Sequence, residues 1–182
     1  MPASNTAVVS YPDTQQTYTT TSNTPQPLSS FSSMTSSYAG SSPTRSGDDY
    51  EAAYDIWAGI GSDNYAQEIM IWVDNHGQTP AGTKVASTAI GGAGYSVWST
   101  SGADAVCKTV SMVMNSNQSS GSVDILADLN WLSSNRYMPA GSGLNQVDFG
   151  WEICSTGRVA QTFTLTQYGI KATCTSGNSC LS

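Results

Sequence analysis

The stretch 67–73, Gln-Glu-Ile-Met-Ile-Trp-Val, constrains the fold of this chain more than any other segment does. It is an apolar run of strand length that carries one carboxylate near its start. Successive side chains of a β-strand point to opposite faces, so the run divides into two sets. One set is apolar and is predicted to face a core: Ile69, Ile71 and Val73. The other set is mixed and faces away from that core: Glu68, Met70 and Trp72. The mixed set is typical of a groove that holds a sugar ring. The alternative is an ordinary central strand of a β-sandwich in which one acid has no functional role.

The composition favours a β-rich protein. Only 10% of the 182 residues are charged, against roughly 25% in an average soluble domain. Polarity comes instead from Ser, Thr, Asn, Gln and 17 Gly, and these residues suit the solvent faces of strands and the turns between them. The length is sufficient for one domain with a substantial core. We therefore expect residues 1–182 to form a single all-β domain.

The net charge of −7, with only six Lys and Arg, argues against several classes of partner. Nucleic acids and anionic membrane surfaces both select proteins with clustered cations. No run approaches the ~18 apolar residues of a membrane span, and the first residues lack a signal-peptide core. A neutral polysaccharide is compatible with this charge. If the protein is secreted, we expect the sequence to be a mature or trimmed form.

Strands are predicted throughout the chain. Residues 13–47 are rich in Ser and Thr, but recurring aromatic and aliphatic residues favour folded strands there over a flexible linker. The other predicted strands are 7–12, 49–57, 84–88, 94–99, 105–114, 146–153 and 162–173. One short helix is predicted near 123–133, where Ile125, Leu129 and Leu132 have helical spacing. Ser122 is its predicted N-cap.

Two other strands also carry an acid on the face away from the core. That face is expected to present Ala53, Asp55 and Trp57 in one strand, and Asp148, Gly150 and Glu152 in the other. Gly150 is predicted to leave room beside Glu152 for another group to approach. Paired carboxylates flanking a glycosidic bond are the apparatus of glycoside hydrolysis, and a separation of about 5–5.5 Å gives retention of configuration. No Gly-x-Ser-x-Gly elbow, P-loop or dinucleotide fingerprint offers a competing chemistry.

Four cysteines allow three pairings. Cys174 and Cys180 flank a turn-rich loop and are expected to close it as a disulfide, which by elimination pairs Cys107 with Cys154. Free buried thiols are the alternative. The chain has no Cys-x-x-Cys pair and one histidine, so a zinc site is not expected. That histidine, His76, lies in a loop as either a surface residue or a sugar contact.

Five segments resemble those of glycoside hydrolase family 12. They are residues 10–12, 53–57, 68–72, 137–140 and 150–152. Their order also matches, as does a short helix between the two glutamate strands, and the resemblance runs from about residue 7 to about residue 173. It implies a two-sheet antiparallel β-jelly roll with a long substrate cleft. It also implies retaining hydrolysis of internal β-1,4-glucosidic bonds in cellulose, mixed-linkage β-glucan or xyloglucan.

The resemblance also implies roles for individual residues. The nucleophile falls on Glu68, the acid/base on Glu152 and a supporting acid on Asp55. The candidate substrate-binding residues are Met70, Trp72, Trp57, Tyr95, Trp98 and His76. We expect a β-glucan substrate, a secreted monomer, no metal and no cofactor.

The chain departs from the family pattern in two places. Family members carry strands before the Ser-Tyr-Pro segment, including an Asn-Asn-Leu-Trp-like motif, so we expect this chain to be N-terminally incomplete. The family usually has an aromatic residue two positions after the acid/base, where this chain has Cys154. A Cys107–Cys154 disulfide would tie down that strand. The alternative function is a truncated, non-catalytic jelly roll that binds glucan, and a third is a Ser/Thr-rich adhesion sandwich.

Overall fold

The computed structural model describes residues 7–102, 105, 108–177 and 180. Eleven strands and one α-helix account for most of them. In chain order they are β1 Asp13–Thr17, β2 Gln26–Pro27, β3 Phe31–Ser41, β4 Asp48–Ile60, β5 Asp63–His76, β6 Thr83–Ile90, β7 Ala93–Ser99, β8 Lys108–Met114, β9 Ser120–Asp124, α1 Ile125–Ser134, β10 Gly143–Thr156 and β11 Thr164–Cys174. The predicted all-β class with one short helix is confirmed.

The strands form two sheets. The large sheet has the order β1-β10-β4-β5-β8-β7-β6, with β2 also paired to β10, and the small sheet has the order β11-β3-β9. All named pairs are antiparallel except β5 with β8, which run parallel. The Ser/Thr-rich segment therefore folds, since it contributes β1, β2 and the whole of β3. Of the predicted strand 7–12, Ser10 makes a single bridge to Ile153, and continuous pairing begins only after Pro12.

One hydrophobic core lies between the two sheets. Ile69, Ile71 and Val73 of β5 are fully buried in it, as the alternation in the sequence predicted. A hydrogen bond from the Tyr54 hydroxyl to Ser36 Oγ, at 2.9 Å, joins the large sheet to the small one. The opposite face of the large sheet, which carries Glu68, is called the cleft face below.

Helix α1 closes one side of this core with Ile125, Leu129 and Leu132. Its N-cap is Asp124 rather than Ser122. The Asp124 side chain accepts a hydrogen bond from the Ala127 amide at 3.0 Å, whereas Ser122 lies within β9. No helix among the described residues is long and apolar enough to cross a membrane.

The cysteines follow one of the two predicted pairings. Cys174 and Cys180 form a disulfide with a Cα–Cα distance of 5.5 Å. Cys154 is a buried free thiol, so its predicted bond is not present, and Cys107 lies outside the described residues. Lys108, the next residue after Cys107, pairs with Gln67 near the start of β5. Cys154 lies instead in a bulge of β10, and both β4 and β5 lie between β10 and β8, whereas disulfides require Cα atoms within about 7 Å.

Candidate active site

Three neighbouring strands bring the predicted acids together on the cleft face. Residues paired directly across a sheet share a face, and β4 lies between β10 and β5. Trp57 of β4 pairs with Glu68, while Asp55 pairs with Met70 on one side and Asp148 on the other. One carboxylate oxygen from each of Asp55, Glu68 and Glu152 lies within 4.8 Å of the other two. Oxygens at this spacing are also the hard ligand set that suits a divalent cation.

Glu68 is held by a hydroxyl donor. Thr109 of β8 donates a hydrogen bond to Glu68 Oε2 at 2.6 Å, because the parallel pairing of β5 and β8 places the two residues opposite each other. Burial raises the pKa of Glu68, the hydrogen bond from Thr109 opposes that shift, and Glu152 reinforces it. The hydrogen bond holds Glu68 Oε2 in place and leaves Glu68 Oε1 available to react with a substrate.

Asp55 is the most buried acid of the three, with 6% of its surface exposed. Its Oδ1 has no hydrogen-bond partner among the described residues. Burial, followed by the charges of Glu68 and Glu152, raises the pKa of Asp55 to about 8. Asp55 is therefore protonated at neutral pH, and it adds no negative charge beside Glu68.

A fourth acid, Glu51, joins this cluster, and the sequence reasoning missed it. Glu51 pairs directly with Glu152 across β4 and β10, and burial followed by the neighbouring Glu152 carboxyl raises the pKa of Glu51. The sequence does predict the facing of Glu51, because this residue lies four positions before Asp55 in the same strand and alternation places both side chains on one face. Thr109 was missed because its position depends on a parallel pairing between strands that are distant in sequence.

The cleft face has its own small apolar cluster beside the acids. Met70 and Trp72 pack there with Ala53, and Val113 lies against them. A cavity of about 260 Å³ is bordered by Met70, Trp72 and the three glutamates Glu51, Glu68 and Glu152. The predicted orientation of Met70 and Trp72 is therefore observed, although Trp72 is only 4% exposed.

A second cavity, of about 230 Å³, adjoins Glu68 on the side away from Trp72. Trp57 and Tyr65 line it, with their rings 5.5 Å apart and nearly perpendicular. Trp98 lies further along the cleft face, since it pairs with Ser111 and Ser111 pairs with Met70. Glu68 thus lies between two cavities that each carry a tryptophan.

Two predicted substrate contacts face the core instead. Tyr95 is 2% exposed and belongs to the core between the sheets. It is three residues from Trp98, so a regular strand must place the two on opposite faces. His76 stacks on the core residue Tyr50 at 5.5 Å. A bulge at Val73 causes this, because it brings Asp74 opposite Ala52 and reverses the facing of later residues.

The space beside Gly150 is filled by the chain itself. A Cβ at Gly150 would lie within 2.2 Å of the Pro12 carbonyl oxygen and 2.8 Å of Asp13 Cα. The absence of a side chain therefore admits the start of β1. The prediction that this position admits an approaching group from outside is wrong.

The raised pKa values link stability to pH. Between the ordinary value of 3.8 and about 8, Asp55 holds a proton in the folded protein and releases it in the unfolded chain. Burial raises the pKa of Asp128 to about 7 and of Asp148 to about 6 in the same direction. The free energy of unfolding falls with rising pH wherever the folded state binds more protons. We therefore expect this protein to be more stable near pH 4.5 than near pH 8.

We expect the melting temperature to fall as the pH rises from about 4.5 to 8. A single pKa unit corresponds to about 1.4 kcal/mol, or roughly 3–6 °C for a protein of this size. Thermal unfolding of the wild type, Asp55→Asn and the exposed control Asp63→Asn would measure it. The slope should flatten in Asp55→Asn and persist in the control. A melting temperature that rises over this range would contradict the assignment of buried protonated acids.

Comparisons with known proteins identify the family and the fold of this chain. Endoglucanase A of Aspergillus kawachii is 33% identical over 110 residues, which cover 56% of this chain and 46% of that protein. This alignment thus spans just under half of the relative's length. One similar solved structure is the xyloglucanase domain of NopAA, a type three effector from Sinorhizobium fredii, in complex with cellobiose. It superposes with a TM-score of 0.77 and is 26% identical, and the match covers 92% of this chain and 76% of that chain.

A native family 12 xyloglucanase from Bacillus licheniformis has the same fold, with a TM-score of 0.76 and 23% identity over 94% of this chain and 78% of that chain. These neighbours confirm the predicted β-jelly roll. The family model described as glycosyl hydrolase family 12 matches residues 4–172, which include every acid of the cleft face described above. The chain belongs to glycosyl hydrolase family 12.

Proposed function

We propose that this protein is a retaining endo-β-1,4-glucanase. The observation that carries the proposal is the close grouping of Asp55, Glu68 and Glu152, with one oxygen of each within 4.8 Å of the other two. Inverting glycosidases need about 6.5–9.5 Å between their two carboxyl groups to admit a water molecule. The tighter spacing supports direct attack by one carboxylate on the anomeric carbon.

Each glutamate has a distinct role in the proposed double displacement. Glu68, oriented by Thr109, attacks the anomeric carbon while Glu152 protonates the departing glycosidic oxygen. Glu152 then takes a proton from water, and the water oxygen displaces Glu68 from the sugar. Asp55 stays neutral because of its raised pKa, so Glu68 can ionise without an adjacent second charge.

The cavities on both sides of Glu68 support cleavage within a glucan chain. Trp57 offers an aromatic surface for a sugar ring on one side, and Met70 and Trp72 form an apolar wall on the other. The related proteins named above are an endoglucanase, a xyloglucanase domain bound to cellobiose and a xyloglucanase. We therefore propose cellulose, mixed-linkage β-glucan or xyloglucan as the substrate class.

The stereochemistry of the first product tests this proposal. We expect proton NMR during hydrolysis of a soluble β-glucan to show the β-anomer of the new reducing end first, followed by mutarotation. The α-anomer appearing first would contradict the retaining mechanism. Glucan binding without new reducing ends would favour the non-catalytic alternative.

We also propose that the protein is a secreted monomer. The Cys174–Cys180 disulfide supports an oxidising compartment. Fractionation of the producing culture should place the protein outside the cells, and size-exclusion chromatography should give the mass of one chain. A protein confined to the cytoplasm would contradict secretion, and an elution volume of a dimer would contradict the monomer.

A further inference from the structure

The mechanism above does not use Glu51, although this residue contacts the acid/base. Glu51 and Glu152 are directly paired on adjacent strands, and both border the cavity beside Met70 and Trp72. Two ionised carboxylates that are paired directly across a sheet repel each other. A proton on one of them removes this repulsion and supplies a hydrogen-bond donor, and the neighbouring Glu152 carboxyl accordingly adds to the effect of burial in raising the pKa of Glu51.

Burial decides which of the two acids keeps its proton. Glu51 is 2% exposed, and its Oε2 lies buried without a hydrogen-bond partner in the described part of the chain. Glu152 is partly exposed to the cleft. An ionised carboxylate is costly to bury without donors, so Glu152 is the better placed of the two acids to give up its proton during the reaction.

The groups that face Glu51 strengthen this asymmetry. Burial is the largest cause that raises the pKa of Glu51, and the neighbouring carboxyls of Glu152 and Asp49 add to it. Asp49 accepts a hydrogen bond from Gln78 Nε2 at 2.8 Å, and His76 also interacts with Asp49. From β10 the thiol of Cys154 faces the same acids, and β5 contributes Asn75, which pairs with Glu51 and carries no charge.

We propose that Glu51 is a positioning residue that stays protonated and donates its hydrogen bond to Glu152 whenever Glu152 is ionised. This inference rests on the proposed function, because it concerns the acid/base of that reaction. Glu51 touches neither the sugar nor the water. It acts through Glu152, by holding that carboxylate in one orientation and stabilising its charge.

The proton balance of the reaction is unchanged by Glu51. In the first step the Glu152 proton passes to the glycosidic oxygen, the bond from the anomeric carbon to that oxygen breaks, and a bond to Glu68 forms. Glu152 is then a carboxylate that accepts the Glu51 hydrogen bond. In the second step Glu152 takes a proton from water while water oxygen replaces Glu68. A hydrogen bond to an ionised acceptor is roughly twice as strong as a neutral one, so Glu51 favours the step in which Glu152 loses its proton.

Two variants distinguish the effect of the Glu51 hydrogen-bond donor from the effect of its side-chain volume. Glu51→Gln keeps a neutral side chain with an N–H donor, whereas Glu51→Met keeps the length and has no donor. With β-glucan we expect Glu51→Gln to stay within about threefold of wild-type kcat, and Glu51→Met to lose roughly 10- to 100-fold with little change in KM.

A substrate with a good leaving group provides the decisive control. 2,4-Dinitrophenyl β-cellobioside needs no proton on its leaving group, so the Glu51→Met loss should shrink to about threefold or less with this substrate. A purely structural role would lower both activities equally. Equal losses on the two substrates, a wild-type rate for Glu51→Met on β-glucan, or a Glu51→Gln loss as large as that of Glu51→Met would each overturn the inference.

Two further measurements keep the test decisive. If Glu51→Met does not fold, infrared spectra of the wild type and Glu51→Gln at neutral pH replace it. The absorption of protonated carboxyl groups should be weaker in Glu51→Gln, and equal absorption overturns the inference. Failure of the proposed function is distinguishable, because Glu68→Gln would then hydrolyse glucan at the wild-type rate. Failure of the inference alone leaves Glu68→Gln inactive.

Discussion

Replacing Glu68 with Gln is expected to lower kcat on soluble β-glucan by about 10⁴-fold or more. The amide is isosteric with the carboxylate, but it does not form the glycosyl-enzyme bond that divides the reaction into two easier steps. Loss of a nucleophile is among the largest effects that a single substitution has on an enzyme. Reducing-sugar release by purified wild type and variant, compared at equal protein concentration, measures this loss.

The structure indicates that this variant should fold. Thr109 can still donate its hydrogen bond to the side-chain carbonyl of Gln, and the variant removes one charge from a crowded set of acids. Asp63→Asn is a matched control, because it replaces another acid of β5 at an exposed position. The control should hydrolyse β-glucan like the wild type. Equal activity in Glu68→Gln and the wild type would eliminate Glu68 as the nucleophile.

Replacing Glu152 with Ala is expected to have the second-largest effect, and its size should depend on the substrate. General acid catalysis contributes about 10²- to 10⁴-fold, so hydrolysis of β-glucan should fall by that factor. With 2,4-dinitrophenyl β-cellobioside, the first step needs no acid and should persist. The covalent intermediate on Glu68 should then accumulate, because no base remains to activate water.

Mass spectrometry and rescue by azide test this expectation for Glu152→Ala. The intact protein should gain the mass of one cellobiosyl group, and added azide should restore turnover as a nucleophile that needs no base. The product should be the β-cellobiosyl azide, formed by a second inversion at the anomeric carbon. Glu68→Gln should show neither the adduct nor this product. An α-configured azide product, or no adduct on Glu152→Ala, would contradict the assigned roles.

Much of the fold was predictable because the relevant signal is local. The alternation of side chains in residues 67–73 separated Ile69 and Ile71, which are buried in the core, from Glu68 and Met70, which lie on the cleft face. The same period of two also separates Tyr95 from Trp98, although the sequence analysis placed both in the cleft. That error came from reading residue types without their spacing.

Other features depended on irregularities of the backbone. The bulge at Val73 in β5 turns His76 toward Tyr50. Cys154 lies in a second bulge, where the regular pairing of β10 with β4 skips it. A bulge adds one residue to one strand, so every prediction of facing beyond it is reversed. No residue type in 71–76 marks that position in the sequence.

The β class and the two faces of the central strands follow from local patterns in the sequence, and the family motifs name Glu68, Glu152 and Asp55 as candidate catalytic residues. The contacts between the acids follow instead from the sheet topology. It places β4 between β5 and β10, sets β8 parallel to β5 so that Thr109 meets Glu68, and pairs Glu51 with Glu152. The physical reason is that the face a side chain takes is set by its neighbours within one strand, whereas pairing joins segments as distant in sequence as Asp13 and Gly150 and depends on the packing of the whole sheet.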